Sequence, residues 1–255
     1  MKKGLLIIVF LSSFLSVYSQ DRITMPIPKI DLNITEATTP NEVSSSLQIL
    51  LLLSILTLSP SIIILVTSFL RISIVLDFVK KALSLQQMPP NQVIFGLALF
   101  LTFFIMWPTF DKINREAIQP FINQDIPSNE RINLDQFWEK SIEPIRDFMF
   151  RQTDPKYIGF FMKLRELPIP NTYKDVPTFI LLPAFVINEM TVAFKMGVLI
   201  FIPFVVIDLV IASSLMAMGM IMLPPVMISL PFKILLFVWL DGWELLIYQL
   251  FRSFF

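Results

Sequence analysis

Cysteine and histidine are both absent from the 255 residues. Without cysteine there is no disulfide, no thiolate metal site and no thiol nucleophile. Without histidine there is no imidazole proton shuttle, no His-ligated metal and no Ser-His-Asp triad within the chain. Glycine is scarce, at six residues, and neither GxxxxGKS/T nor GxGxxG occurs, so no phosphate-cradling loop is visible. Lys plus Arg balance Asp plus Glu at 20 each, which leaves no electrostatic case for nucleic acid. Carboxylates remain as acids or bases, but they are isolated, and an intramembrane aspartyl site needs a matched pair. The chain is therefore not expected to be an enzyme, and no cofactor or metal is expected.

Apolar residues are what the chain has in excess. They make up 55% of it, and the mean hydropathy is +0.71, far above a soluble globular protein. The expected fold is all-α: an integral-membrane-type protein of long, kinked apolar helices in hairpins, with a helical polar insert. Residues 1–19 combine Lys2 and Lys3, an apolar run and small residues at Val17 and Ser19, the pattern of a cleavable signal peptide. An uncleaved anchor is the alternative. Residues 20–46 are polar and carry Pro26, Pro28 and Pro40, which suits an extended exoplasmic segment.

Residues 47–110 form a first apolar helical hairpin. Its first run, 47–70, is long enough to cross about 30 Å of hydrocarbon, with Pro60 as a kink. The basic stretch 71–81 is expected as the cytoplasmic connection by charge, with Asp77 and Lys81 paired at i,i+4. Pro89 and Pro90 break one helix and start the next, and Pro108 closes it. Residues 111–177 form a polar insert. Over 111–175 it carries ten Lys or Arg and eleven Asp or Glu. Leu134, Phe137, Trp138, Ile142, Ile145, Phe148 and Met149 recur at three and four, which predicts an amphipathic helix. Asp154 and Pro155 read as an N-cap and first-turn proline of a further helix.

Residues 178–255 form a second apolar region, and 178–223 is too long for a single crossing. Glu189, Lys195 and Asp208 interrupt it. A mid-bilayer charge costs about 2.5–3.5 kcal/mol on insertion scales, so these three should face protein or a water-filled path. Further on, Lys233 and Glu244 share a helical face but stand roughly 16 Å apart along it. They cannot pair with each other, so each wants a partner from outside, which points to an oligomer; snorkelling of Lys233 is the alternative. No internal repeat appears.

Within the second region, 216–223 is a methionine-rich loop. Met216, Met218, Met220 and Met222 alternate around Gly219, and Pro224 and Pro225 end the segment. Alternation by two is not a helical stripe. Flexible, polarizable thioethers could close on nothing and reshape around something. They could equally be filler of an irregular core.

Six strings carry a resemblance: Leu70-Arg-Ile-Ser-Ile-Val-Leu76, Met88-Pro-Pro-Asn-Gln-Val-Ile-Phe-Gly-Leu-Ala-Leu-Phe-Leu-Thr-Phe-Phe-Ile-Met106, Pro144-Ile-Arg-Asp-Phe-Met-Phe-Arg-Gln-Thr153, Pro183-Ala-Phe-Val-Ile-Asn-Glu-Met190, Phe201-Ile-Pro-Phe-Val-Val-Ile-Asp-Leu-Val-Ile-Ala-Ser213 and Ile228-Ser-Leu-Pro-Phe-Lys-Ile-Leu-Leu-Phe-Val-Trp-Leu-Asp-Gly-Trp243. From about Leu47 to the C-terminus the chain resembles the FliP/SctR-type family of type III secretion export-gate proteins, in its flagellar branch. Asn188, Met190, Ser84, Met218 and Ile221 depart from the family's usual Ser, Leu, Gly, Leu and Met. The resemblance implies a core gate subunit conducting unfolded flagellar subunits. It implies a pentamer with FliQ and FliR, working with FlhA and FlhB in the bacterial inner membrane at the flagellar basal body, much of it on the periplasmic side. It assigns the pore constriction to Met216, Met218, Gly219, Met220 and Met222. Glu189, Lys195, Asp208, Lys233, Asp241 and Glu244 become candidate structural charges, within or between subunits. A virulence-type gate subunit, or a small-solute channel using Asp208 or Glu189, are the alternatives.

Overall fold

The computed structural model describes residues 40–255 except 86–87, 123–131, 169, 171, 173–174 and 221, with side chains from Leu47 onward apart from Ser59. The expected signal peptide and residues 20–39 lie outside the described residues. Every described element is helical, and no strand occurs among the described residues. The chain divides into two compact units, Met1–Leu52 and Leu53–Phe255. The described part of the first is the beginning of helix α1 (Pro40–Leu65). Apart from α1 itself, everything below concerns the second unit.

Nine α-helices are described. After α1 come α2 (Phe69–Ala82), α3 (Asn91–Ile113), α4 (Gln119–Ile122), α5 (Leu134–Gln152), α6 (Pro155–Leu164), α7 (Thr178–Ala217), α8 (Pro225–Trp239) and α9 (Gly242–Arg252). A π-helical turn, Asn114–Ile118, joins α3 to α4. By length and composition, Leu47–Leu65, Asn91–Ile122 and Thr178–Ala217 could each cross a membrane. The pair α8 and α9, bent by 64°, could supply a fourth, broken span.

Four sequence expectations change here. Residues 40–46, expected within the extended segment 20–46, already belong to helix α1. Residues 47–110 hold three helices, because the stretch read as a basic cytoplasmic connection is helix α2. Its stripe Ile72, Val75, Leu76 and Val79 is buried, the i, i+3, i+4, i+7 pattern of a core-facing helix. Lys80 and Lys81 complement the helix dipole in its last turn, and Lys81 does pair with Asp77 at 2.6 Å. Pro108 does not close α3, which runs on to Ile113. A proline removes one backbone bond, whereas ending the helix in apolar surroundings would strand several more. Finally, 226–255 is not one helix: the chain turns at Asp241, whose φ is 50°, so Lys233 and Glu244 do not share a face.

The centre of the fold is α7. Its 40 residues span about 60 Å at 1.5 Å per residue, roughly twice the hydrocarbon thickness. Pro183 and Pro203 lie inside it. Ile180, Leu181, Ala184, Phe185, Asn188, Glu189, Ala193 and Gly197 are buried along it at spacings of three, four or one, which is one helical face. That face meets α2. At Gly197 a Cβ would fall into the ring of Phe78, so glycine sets how closely α2 and α7 approach.

The polar insert packs as α5 and α6 against the early part of α7. Asn133 and Gln136 form a reciprocal capping box at the start of α5, with bonds of 2.8 and 3.2 Å. Asp154 caps α6 as expected, accepting from the Lys156 N–H at 3.0 Å with Pro155 in the first turn. That N–H holds the Asp154 carboxyl below the usual carboxylate range, and the carboxylate in turn raises Lys156. The amphipathic stripe of α5 is only half covered. Phe148 and Met149 are buried, whereas Leu134, Trp138 and Ile142 are exposed.

Candidate functional site

The sequence singles out a methionine turn and a set of charges in apolar helices. The methionine turn begins as a helix end. Met216 belongs to the last turn of α7, so it is helical rather than part of a loop, and Met218 is the C-cap. The Gly219 N–H donates to the Met216 carbonyl at 3.0 Å and the Met220 N–H to the Leu215 carbonyl at 2.9 Å. Those two bonds form a Schellman motif. It requires a left-handed residue at Gly219, whose φ is +76°. Pro224 then serves as N-cap and Pro225 as first residue of α8, a position that needs no N–H. Pro90 plays the same part at α3, its carbonyl accepting from Val93 at 2.9 Å; Pro89 precedes it. All four methionines of the turn are exposed, Met222 at 97%. In this chain they fill no core.

Behind the turn, α7 and α8 are clasped by charge. Lys233 Nζ donates to Asp208 Oδ2 at 2.7 Å and to Ser84 Oγ at 2.8 Å. Ser229 Oγ donates to the other oxygen, Asp208 Oδ1, at 2.5 Å. The lysine side chain is 2% exposed and the aspartate 30%. Lys233 therefore finds its anion in its own chain, and as a lone cation it no longer argues for an oligomer or for snorkelling. Ser84 reaches it from the Schellman turn that ends α2, where the Ser84 and Leu85 N–H groups return to Lys81 and Lys80. The φ of Ser84 is 57°, a conformation that favours glycine.

A second cluster lies deeper. The Arg71 guanidinium grips Glu189 through both oxygens, Nε to Oε2 at 2.9 Å and Nη2 to Oε1. Nη1 donates to the carbonyl and hydroxyl of Ser253 at 2.8 and 3.0 Å, and Nη2 also to Gln152 Oε1 at 3.2 Å. All five guanidinium donors are used. The group also sits 3.9 Å above the Phe254 ring, a cation–π contact. Gln152 Nε2 donates to the Phe254 carbonyl, and Asn188 Nδ2 to the Gln152 carbonyl. Arg71 and Glu189 are 2% and 0% exposed. This cluster fastens α2, α5, α7 and the C-terminus to one another.

Arg71 was missed by the sequence reading, which placed it in a cytoplasmic connection. The signal was present: it stands among Leu70, Ile72 and Ile74, as isolated in apolar sequence as Glu189 or Asp208. Lys195, Asp241 and Glu244 are not brought together. All three are exposed and form no ion pair among the described residues. Lys195 projects from an apolar stretch of α7 bounded by Met190, Phe194 and Val198.

The sequence profile of the FliP family matches residues 52–250. A "Flagellar biosynthetic protein FliP" of Treponema denticola is 46% identical over 276 residues, covering all of both chains. Proteins of the same name from Borreliella burgdorferi and Bacillus subtilis are 54% and 51% identical. They align over 84% and 88% of this chain and 83% and 98% of their own lengths. The helical architecture, the apolar helices of spanning length and a match from Leu52 to Leu250 agree: this chain belongs to the FliP family.

Proposed function

We propose that this chain is a core, non-catalytic subunit of the flagellar type III protein export gate, and that its methionine turn lines the constriction through which unfolded flagellar subunits pass. The observation that carries this reading is the pairing of opposites at one end of α7. The backbone of the turn is fixed by a Schellman cap and backed by the Lys233–Asp208–Ser229 clasp. Its four methionine side chains meanwhile stand free. A firm hairpin carrying unbranched thioethers suits a seal that must refit around changing side chains.

The bare apolar flank of α7 supports assembly. Leu199, Leu209 and Val210 are exposed, and such a surface calls for lipid or other subunits. By the family resemblance those subunits are further copies of the chain, forming a pentamer, with FliQ and FliR, beside FlhA and FlhB. The site is the inner membrane at the basal body, with the insert on the periplasmic side. Cysteines replacing Lys140 and Lys163, both exposed, should react with an impermeant reagent in spheroplasts. Reaction only after permeabilisation contradicts that orientation.

Because the chain has no cysteine, the central reading has a clean test. Met220→Cys is expressed in cells exporting a flagellar subunit that is stalled by a folded C-terminal tag and carries one cysteine at a time. A disulfide between the two proteins, only for cysteines in the stalled stretch, is expected. Absence of any such cross-link in a stalled, assembled gate overturns the assignment.

A further inference from the structure

Sealing a pore does not exhaust the chemistry of this turn. Five of the thirteen methionines, Met216, Met218, Met220, Met222 and Met227, fall within one short stretch of sequence. Their relative exposures are 63, 65, 44, 97 and 71%. Met106, Met149 and Met162 lie in the core at 0, 2 and 4%. In a chain without cysteine, thioether sulfur is the most readily oxidised group, and its rate of oxidation follows access.

We propose that the turn at 216–222 is a reversible sulfoxidation site, at which peroxide-class oxidants convert an exposed apolar thioether cluster into a polar one while the core methionines are spared. The effect on conduction rests on the gate reading; the modification chemistry does not. In each step a methionine sulfur lone pair attacks one oxygen of hydrogen peroxide. The S–O bond forms as the O–O bond breaks. Sulfur is oxidised by two electrons, and the departing hydroxide takes up the proton left on the transferred oxygen to give water. The return step is reduction by a methionine sulfoxide reductase. A dithiol supplies two electrons and two protons, the oxygen leaves as water and the dithiol becomes a disulfide.

The turn is built to take this change without unfolding. Its Schellman bonds are backbone bonds, and the clasp behind it uses lysine, aspartate and serine. No methionine side chain takes part in any of these bonds. A sulfoxide is a strong acceptor in place of a weak one. Several sulfoxides around one narrow passage would draw in water that thioethers exclude.

The test uses the assembled complex purified from membranes. It is exposed to hydrogen peroxide, digested, and each methionine is followed by the mass of one added oxygen. Met216, Met218, Met220 and Met222 are expected to oxidise at least about tenfold faster than Met106, Met149 and Met162, and reductase with dithiol should reverse the change. Equal rates, or a turn that stays reduced, overturn the site.

A second arm compares membrane vesicles carrying the wild-type gate with a gate carrying Met216→Leu, Met218→Leu, Met220→Leu and Met222→Leu, similar in volume but not oxidisable. Peroxide should raise ion leakage several-fold in wild type only, and reductase should restore it. A wild-type gate that stays tight with its turn oxidised overturns the switch. If the Met220→Cys cross-link still forms in that case, the gate reading stands and only the switch is lost.

Discussion

Over residues 178–197, α7 is packed against its own chain: α2 covers one face, α5 lies against it through the Gln152 carbonyl to Asn188, and α6 through Asp154 to Asn188 and Tyr157 to Thr191. Over 198–217 only Phe204 and Leu215 are buried. Both halves are apolar, so composition does not separate them. What differs is the treatment of the one acid in each. Glu189 is fully enclosed, and its partner Arg71 has every donor filled. Asp208 is still part-open, held by one lysine and one serine, beside a surface of bare leucine and valine. The covered half folds the subunit. In the proposed gate, the bare half is the surface left for lipid, other subunits and cargo.

The largest effect should come from breaking the covered half. Arg71→Ala or Glu189→Ala leaves a buried charge without its counter-ion and is expected to cost about 3–5 kcal/mol. The readout is thermal unfolding of the purified chain. Replacing both, Arg71→Met with Glu189→Met, should be milder than either single alanine, because an apolar pair leaves no unpaired charge. A double variant no better than the singles would mean that the cluster acts through its Ser253 and Gln152 bonds instead.

Breaking the clasp should cost less. Asp208 keeps some solvent, so Lys233→Ala is expected to cost about 1–3 kcal/mol, seen chiefly as less assembled oligomer recovered from membranes. Full recovery of assembled gate from Lys233→Ala would remove the clasp from assembly.

Ser84 sharpens the same point through a single bond, with the smallest net effect expected for its glycine variant. Left-handed backbone costs a non-glycine residue about 1–2 kcal/mol, and a bond to a charged group contributes about 1.5–3 kcal/mol. Ser84→Ala keeps the strain and loses the bond to Lys233; Ser84→Gly loses the bond but relieves the strain. The alanine variant should therefore melt below the glycine variant, with wild type at or above both. Glycine above wild type would show the bond to be weak.

Much of this was legible in the sequence, for definable reasons. Charges in apolar runs mark themselves, so Glu189, Asp208 and Lys233 could be named, though not their partners. Asp208 and Lys233 sit 25 residues apart on different helices, and Arg71 lies 118 residues from Glu189. Only the packing of α8 and of α2 on α7 reveals those pairs. Local signals did better: the Asp154–Pro155 cap and the Asp77–Lys81 pair are decided within one helical turn. Arg71 was obscured by Asp77, Lys80 and Lys81 downstream, which made a helix look like a connecting loop. Pro108 misled because a proline's local cost is smaller than that of ending a helix among apolar neighbours. Ser84 and Asn188, where the resemblance implies glycine and serine, bond directly into the two clusters, which no one-dimensional reading shows.

The division of α7 is tested most directly at its bare end. Replacing Met216, Met218, Met220 and Met222 together by alanine removes exposed side chains that anchor nothing. Stability of the assembled complex should change by no more than about 0.5 kcal/mol per site, as for ordinary surface substitutions. The decisive measurement is ion leakage in cells that contain the assembled variant, against wild type at equal abundance. Leakage above wild type, with some export retained, is the expected result. An assembled variant as tight as wild type would contradict the assignment of the methionine turn as the seal.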